Sequence, residues 1–248
     1  MFDGVAWVGR FHDMYGYHTL IRKDDRPTWG GVFLPSQALQ KFEDNLLVDV
    51  DRIIESHSLL NHKGGGRRGL GHITRSGVLM LCAAWELYLE EVLTECVHIL
   101  IKRVAHPKQL PKPVQKELAR AVRESKHELK PLELAADGWM TVYHDHACQT
   151  VRGLNTPKSV NVDLLFKRFI GIEALSTCWS MGPNEIDSFV SARGDIAHRG
   201  RDAGYVKING LKDYRTQVVQ AVVDTDNTLA DFIQTNSEGG SPWRRRNV

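Results

Sequence analysis

The sequence predicts an all-α helical bundle preceded by an irregular N-terminal arm. Three observations predict it. Apolar residues recur at three- and four-residue spacing from Leu39 to Ile54, a long run fills 74–104, and a last amphipathic stretch fills 211–235. Clusters of glycine and proline stand between these stretches and break them apart.

Residues 1–35 hold Trp7, Tyr15, Tyr17 and Trp29 among scattered glycines, with no sustained period of 2 or 3.6, and read as the arm. From Ser36 the pattern changes. Leu39, Phe42, Leu46, Leu47, Val50, Ile53 and Ile54 form one helical face, with Pro35-Ser36 as stop and cap, so a helix is expected to about Leu59. The segment Lys63-Gly-Gly-Gly-Arg-Arg-Gly69 ends it, because clustered glycine loses too much backbone entropy in a helix. The result is a flexible basic loop, either touching phosphates or simply solvated. The next helix, about 74–104, is apolar nearly all round at 78–85 and belongs at the bundle centre. Pro107, Pro111 and Pro113 end it, and Pro113 suits the first turn of a charged helix over about 113–125. Further helices are expected at about 132–150, 161–170, 184–198 and 211–235. The segment 236–248, with Trp243 beside Arg244, Arg245 and Arg246, reads as a disordered basic tail, giving one helical domain over 36–235.

Composition narrows the function classes. With 32 Lys+Arg against 30 Asp+Glu the formal charge is only +2, so bulk charge names no partner. A hydrophobic fraction of 42% excludes a disordered or collagen-like chain. The longest apolar run, 78–85, falls far short of the roughly 20 residues that span a bilayer. Met1-Phe2-Asp3-Gly4 opens without a secretory pattern, so the expectation is a cytoplasmic protein with no membrane partner. Cys82, Cys96, Cys148 and Cys178 are widely spread and read as reduced core thiols.

The informative segment is Arg193-Gly-Asp-Ile-Ala-His198-Arg-Gly200. Arg193 and His198 stand near the end of an apolar-patterned helix, with Gly200 suited to leaving it. The carbonyl end of a helix favours imidazolium, so His198 is placed to give and take protons near neutral pH. This pair suits cleavage of RNA by its own 2′-hydroxyl. One group removes the 2′-OH proton, one protonates the leaving 5′-oxygen, and a permanently charged fork steadies the pentacovalent phosphate. A five-residue step on a straight helix turns about 140°, so the helix end or a second subunit must bring the two together. Arg199 and Arg201 supply charge for flanking phosphates, and Asp195 is placed to orient or restrain either basic group.

This run resembles the Arg-x(4–6)-His motif of the HEPN superfamily. Two further segments agree in order. Arg75-Ser-Gly-Val-Leu-Met-Leu-Cys-Ala-Ala-Trp-Glu86 is similar to the long early helix of RiboL-PSP-type HEPN domains, and Gly153-Leu-Asn155-Thr-Pro157 to the Asn-x-Pro loop before the motif. The resemblance spans about 36–235. It implies a bundle that dimerises with two Arg–His motifs facing one cleft, acting as a metal-independent endoribonuclease without cofactors, in toxin–antitoxin, abortive-infection or other antiviral systems. Partners would be RNA, a second copy and an antitoxin or defence protein. One departure stands out: members often carry a polar residue directly after the Arg, where this chain has Gly194. A non-catalytic module binding RNA, a nucleotide or a neighbouring protein is the reading from another class, and Gly194 favours it.

Other groups carry plainer alternatives. Glu86 in an apolar helix needs a partner, and either Arg193 across the bundle or a purely structural salt bridge answers that need. Tyr143-His144-Asp145-His146-Ala-Cys148 offers metal-ligand types, but His144 and His146 diverge, and the shared face of His144 and Cys148 lacks two ligands, so a metal-dependent hydrolase ranks last. Gly64–Gly69 lacks the Gly-Lys-Ser/Thr ending of a triphosphate-binding loop.

Overall fold

A computed structural model describes residues 34–61 and 69–247. The arm up to residue 33 and nearly all of the glycine-rich loop lie outside the described residues. Within them the chain is all-α, with no strand. Ser36 caps the first helix, α1 (Gln37–Lys41), its hydroxyl accepting the Leu39 N–H at 2.9 Å. A π turn over Phe42–Leu46 joins it to α2 (Leu47–Asn61) and sets Phe42 edge-on against Tyr88, 5.7 Å between ring centres.

The centre is α3 (Gly71–Arg103), against which α1, α2, α5, α6, α7 and α8 all pack. Its apolar run is not enclosed on every side, however: Leu79, Met80 and Ala83 remain exposed on one stripe, because no described element packs over it. Around α3 lie α4 (Lys112–Arg123), α5 (Gly138–Val151), α6 (Ser159–Phe169), α7 (Pro183–Arg199) and α8 (Ile208–Asn236). The stretch expected as one helix over 132–150 is instead a 3-10 turn, Lys130–Leu134, then a reversal through Ala136 at φ 49° into α5. Gly138 permits that reversal, since a Cβ there would stand 2.1 Å from the Glu133 carbonyl oxygen.

Residues 238–247 are not a free tail, which corrects the expectation of disorder there. Trp243 is buried and its indole N–H donates to the Asp226 carbonyl at 3.2 Å. The Arg244 N–H donates to the Leu34 carbonyl, and Arg246 exchanges backbone hydrogen bonds with the Asn227 side chain. The indole and three further hydrogen bonds hold the segment down, whatever its basic composition suggests.

Beneath this strap Asp226 is fully buried, with its Oδ1 accepting the Ser36 hydroxyl. Burial pushes its carboxyl up to about 7, against the hydrogen bond from Ser36. Its Oδ2 has no hydrogen-bond partner among the described residues, which suits a protonated oxygen. A carboxyl raised in the fold above its unfolded value of about 3.9 stabilises most below that value. Stability from this group is therefore lost as pH rises from about 4 to about 7. Melting curves over that range are expected to fall for the wild type relative to Asp226→Asn, and parallel curves would remove the argument.

Candidate active site

Helix α7 starts at Pro183 in its first turn and buries Ile186, Phe189, Val190 and Ile196. That face sets α7 against α3 and brings Arg193 over a ridge of α3: the Arg193 Nη2 lies 3.7 Å from Glu86 Oε2. Both side chains are partly covered, 30% and 21% exposed. Burial raises the Glu86 carboxyl while Arg193 pulls it back down. One turn earlier burial pushes the Cys82 thiol up to about 11, again with Arg193 opposing. One turn later burial and the Glu86 charge raise Glu90. Arg193 thus sets a positive charge over the middle of a half-buried acidic ridge while part of its side chain stays exposed.

His198 is exposed in the last turn of the same helix, which continues through Arg199 and ends where Gly200 takes φ 55°. The helix is regular across both motif positions, so Arg193 and His198 stay about 140° apart around its axis. The helix end therefore does not unite them within one chain, one of the two routes the spacing had left open. Asp195 contacts neither: its Oδ1 pairs with Arg199 Nε at 3.1 Å, and its Oδ2 accepts the Gly204 N–H at 3.1 Å. It folds the exit of the helix back along α7. Arg201 is exposed in the 3-10 turn Gly200–Asp202. Nothing lies within 4 Å of the place a Gly194 Cβ would take, so the departure from the expected motif leaves open space.

The loop over 153–157 supports the site indirectly. The Trp85 indole donates to the Pro157 carbonyl at 3.1 Å, and Asp187 of α7 accepts both the backbone N–H and the hydroxyl of Ser159 at 2.7 Å. The loop is thereby fixed to α3 on one side and to the motif helix on the other. A shallow cleft beside it, lined by Thr150, Asn155, Asn161 and Arg168, includes no motif residue.

One cluster had no sequence signal. Buried Glu117 receives Arg120, Arg168 at 2.7 Å and His146 at 2.7 Å. Burial alone would raise this carboxyl, but hydrogen bonds from Arg168, Arg120 and His146 hold it down at about 2. The cluster clamps α4, α5 and α6 together, and only the fold unites positions so far apart in the chain. His144 and Cys148 do share a face, Nε2 to Sγ 3.6 Å, with Asp145 at 3.1 Å on the other ring nitrogen. Among the described residues no group of three His, Cys, Asp or Glu suits a metal ion. All four cysteines are free thiols, Cys82 and Cys96 buried as expected, Cys148 and Cys178 only partly so. No described helix is long and apolar enough to cross a membrane.

Among known families, the model RiboL-PSP-HEPN matches residues 44–231, from the π turn into α8 and including the whole motif helix. No curated protein and no solved structure matches the chain.

Proposed function

The chain belongs to the RiboL-PSP-HEPN family, and from that premise we propose that it is a metal-independent endoribonuclease acting in a toxin or antiviral defence setting. The observation that carries this reading is the placement of Arg193 and His198 on one helix, α7, the guanidinium paired with Glu86 and the imidazole open to solvent.

The chemistry follows from those two groups. The imidazole of His198 takes the proton of a ribose 2′-hydroxyl as the 2′-oxygen attacks the adjacent phosphorus, and the phosphorus–5′-oxygen bond breaks. The leaving 5′-oxygen takes that proton back from the imidazolium so formed. The planar fork of Arg193 holds the equatorial phosphate oxygens as charge gathers on them. Arg201, and Arg199 where Asp195 releases it, meet flanking phosphates.

Because 140° separates the motif residues, the working cleft joins two copies, the Arg193 of each facing the His198 of the other. Of the exposed stripe Leu79, Met80 and Ala83, Leu79 and Ala83 lie on the same face of α3 as Glu86, with Met80 beside them, and the stripe offers the apolar contact for that pairing. A neighbouring antitoxin or defence protein would restrain the nuclease by covering this cleft.

Labelled structured RNA incubated with the purified chain in EDTA tests the reading. Fragments ending in 2′,3′-cyclic phosphate and 5′-hydroxyl are expected, at a rate that chelation leaves unchanged. RNA bound but left intact would favour the second reading, a binding module. Gly194 is the observation behind that alternative, since the residue after Arg193 presents no side chain to the cleft.

A further inference from the structure

Beyond His198 the chain turns through Gly200–Asp202, buries Ala203 and arrives at Tyr205, a large aromatic side chain left 49% exposed. Two contacts with described residues help to position it. The Gly204 N–H donates to Asp195 Oδ2 at 3.1 Å, which ties the turn to α7 one helical turn before His198. On the other side the ring edge enters a notch at Gly71, the first residue of α3: a Cβ there would stand 3.2 Å from Tyr205 Cε2. The same point is 3.2 Å from Arg75 Nη1, so the guanidinium of Arg75 and the Tyr205 ring both border the one notch at Gly71. An aromatic ring and a guanidinium thus stand together at the start of α3, on the segment that leaves the motif helix and that Gly204 ties back to Asp195.

We propose that Tyr205, seated by Gly71 and flanked by Arg75, is the platform on which an unpaired base of the RNA stacks beside the phosphate held at Arg193 and His198. This rests on the nuclease reading for its orientation and adds the substrate class: a segment whose bases are unstacked. A duplex hides its base faces in the helix and cannot use such a platform, whereas a single strand offers one at each nucleotide. The ring gives affinity through its π face, and Arg75 and Arg201 hold the phosphates on either side.

The test is binding of a fluorescent oligoribonucleotide with 2′-O-methyl riboses, which cannot be cut, by the full chain carrying Tyr205→Ala or Tyr205→Phe, each first shown folded by its melting curve. Tyr205→Ala is expected to weaken single-strand binding roughly 5- to 150-fold, the loss of one stacked base. Tyr205→Phe keeps the ring and should bind as the wild type does. The salt dependence should keep its slope in Tyr205→Ala and flatten by about 0.7 in Arg75→Ala, because only the second removes a phosphate contact. Undiminished binding by Tyr205→Ala, or an equal loss in Tyr205→Phe, overturns the platform. Cleavage reads the other question separately. A wild type that cuts while Tyr205→Ala binds normally sinks only the platform, and one that binds through Tyr205 without cutting sinks only the nuclease.

Discussion

Replacing His198 by Ala is expected to slow RNA cleavage roughly 100- to 10,000-fold, the share of a general acid–base group, with the melting temperature unchanged because the side chain is exposed. Arg193→Ala should fall as far in activity, since a neutral methyl cannot hold the equatorial phosphate oxygens. It also leaves half-buried Glu86 without its guanidinium, so a modest drop in melting temperature is expected as well. The two variants mixed in equal amounts probe the composite cleft. If each catalytic pair in the cleft takes Arg193 from one copy and His198 from the other, half of the dimers carry one intact pair, and roughly a quarter of the wild-type rate returns. Dead variants that stay dead after subunit exchange would place both residues of a pair in the same chain. Variants that cut at the wild-type rate would remove the catalytic assignment altogether.

Trp85→Ala should be the most destabilising single change considered, about 3–5 kcal/mol. The indole is fully buried, stacked on Tyr88 at 6.0 Å and edge-on to Trp179 at 5.6 Å, and it satisfies the Pro157 carbonyl. Truncation opens a cavity against two aromatic rings and leaves a buried acceptor unpaired. At fixed protein concentration the expected fall in melting temperature is roughly 6–20 °C for a chain of this size. Trp85→Phe should cost less, because it keeps most of the ring contact and loses only the N–H and part of the volume. Glu86 follows Trp85 directly, so the same change loosens the anchor of Arg193. A Trp85→Ala protein within 1 kcal/mol of the wild type in urea unfolding would show that α3 is not held at this point.

Much of the fold was legible because helices announce themselves locally. The three- and four-residue spacing at 39–54, the proline stops at 107–113 and the capping Ser36 each act within a few residues, and those elements stand near their expected places. The misplacements occurred where a distant contact overrode local pattern. The start of α5 waits for Gly138 to pass the Glu133 carbonyl, and the Trp243 segment docks because Asp226 and Leu34 are there to receive it. Burial of the 78–85 run was overestimated for the same reason. Periodicity reports that a face is apolar, not whether another element covers it.

The sequence by itself determined the helical class, the order of the elements and the family, and it singled out Arg193, His198 and Glu86 by residue type and spacing. Tertiary structure alone decided what those residues touch. Packing of α7 on α3 gives Arg193 to Glu86, and the turn after α7 brings the Gly204 N–H back to Asp195. The Glu117 cluster and the Tyr205 corner likewise join positions scattered along the chain. Hydrophobic period and capping are properties of neighbours in sequence, whereas an ion pair or a ring in a notch depends on how whole helices cross, and that is set by the summed packing of the core.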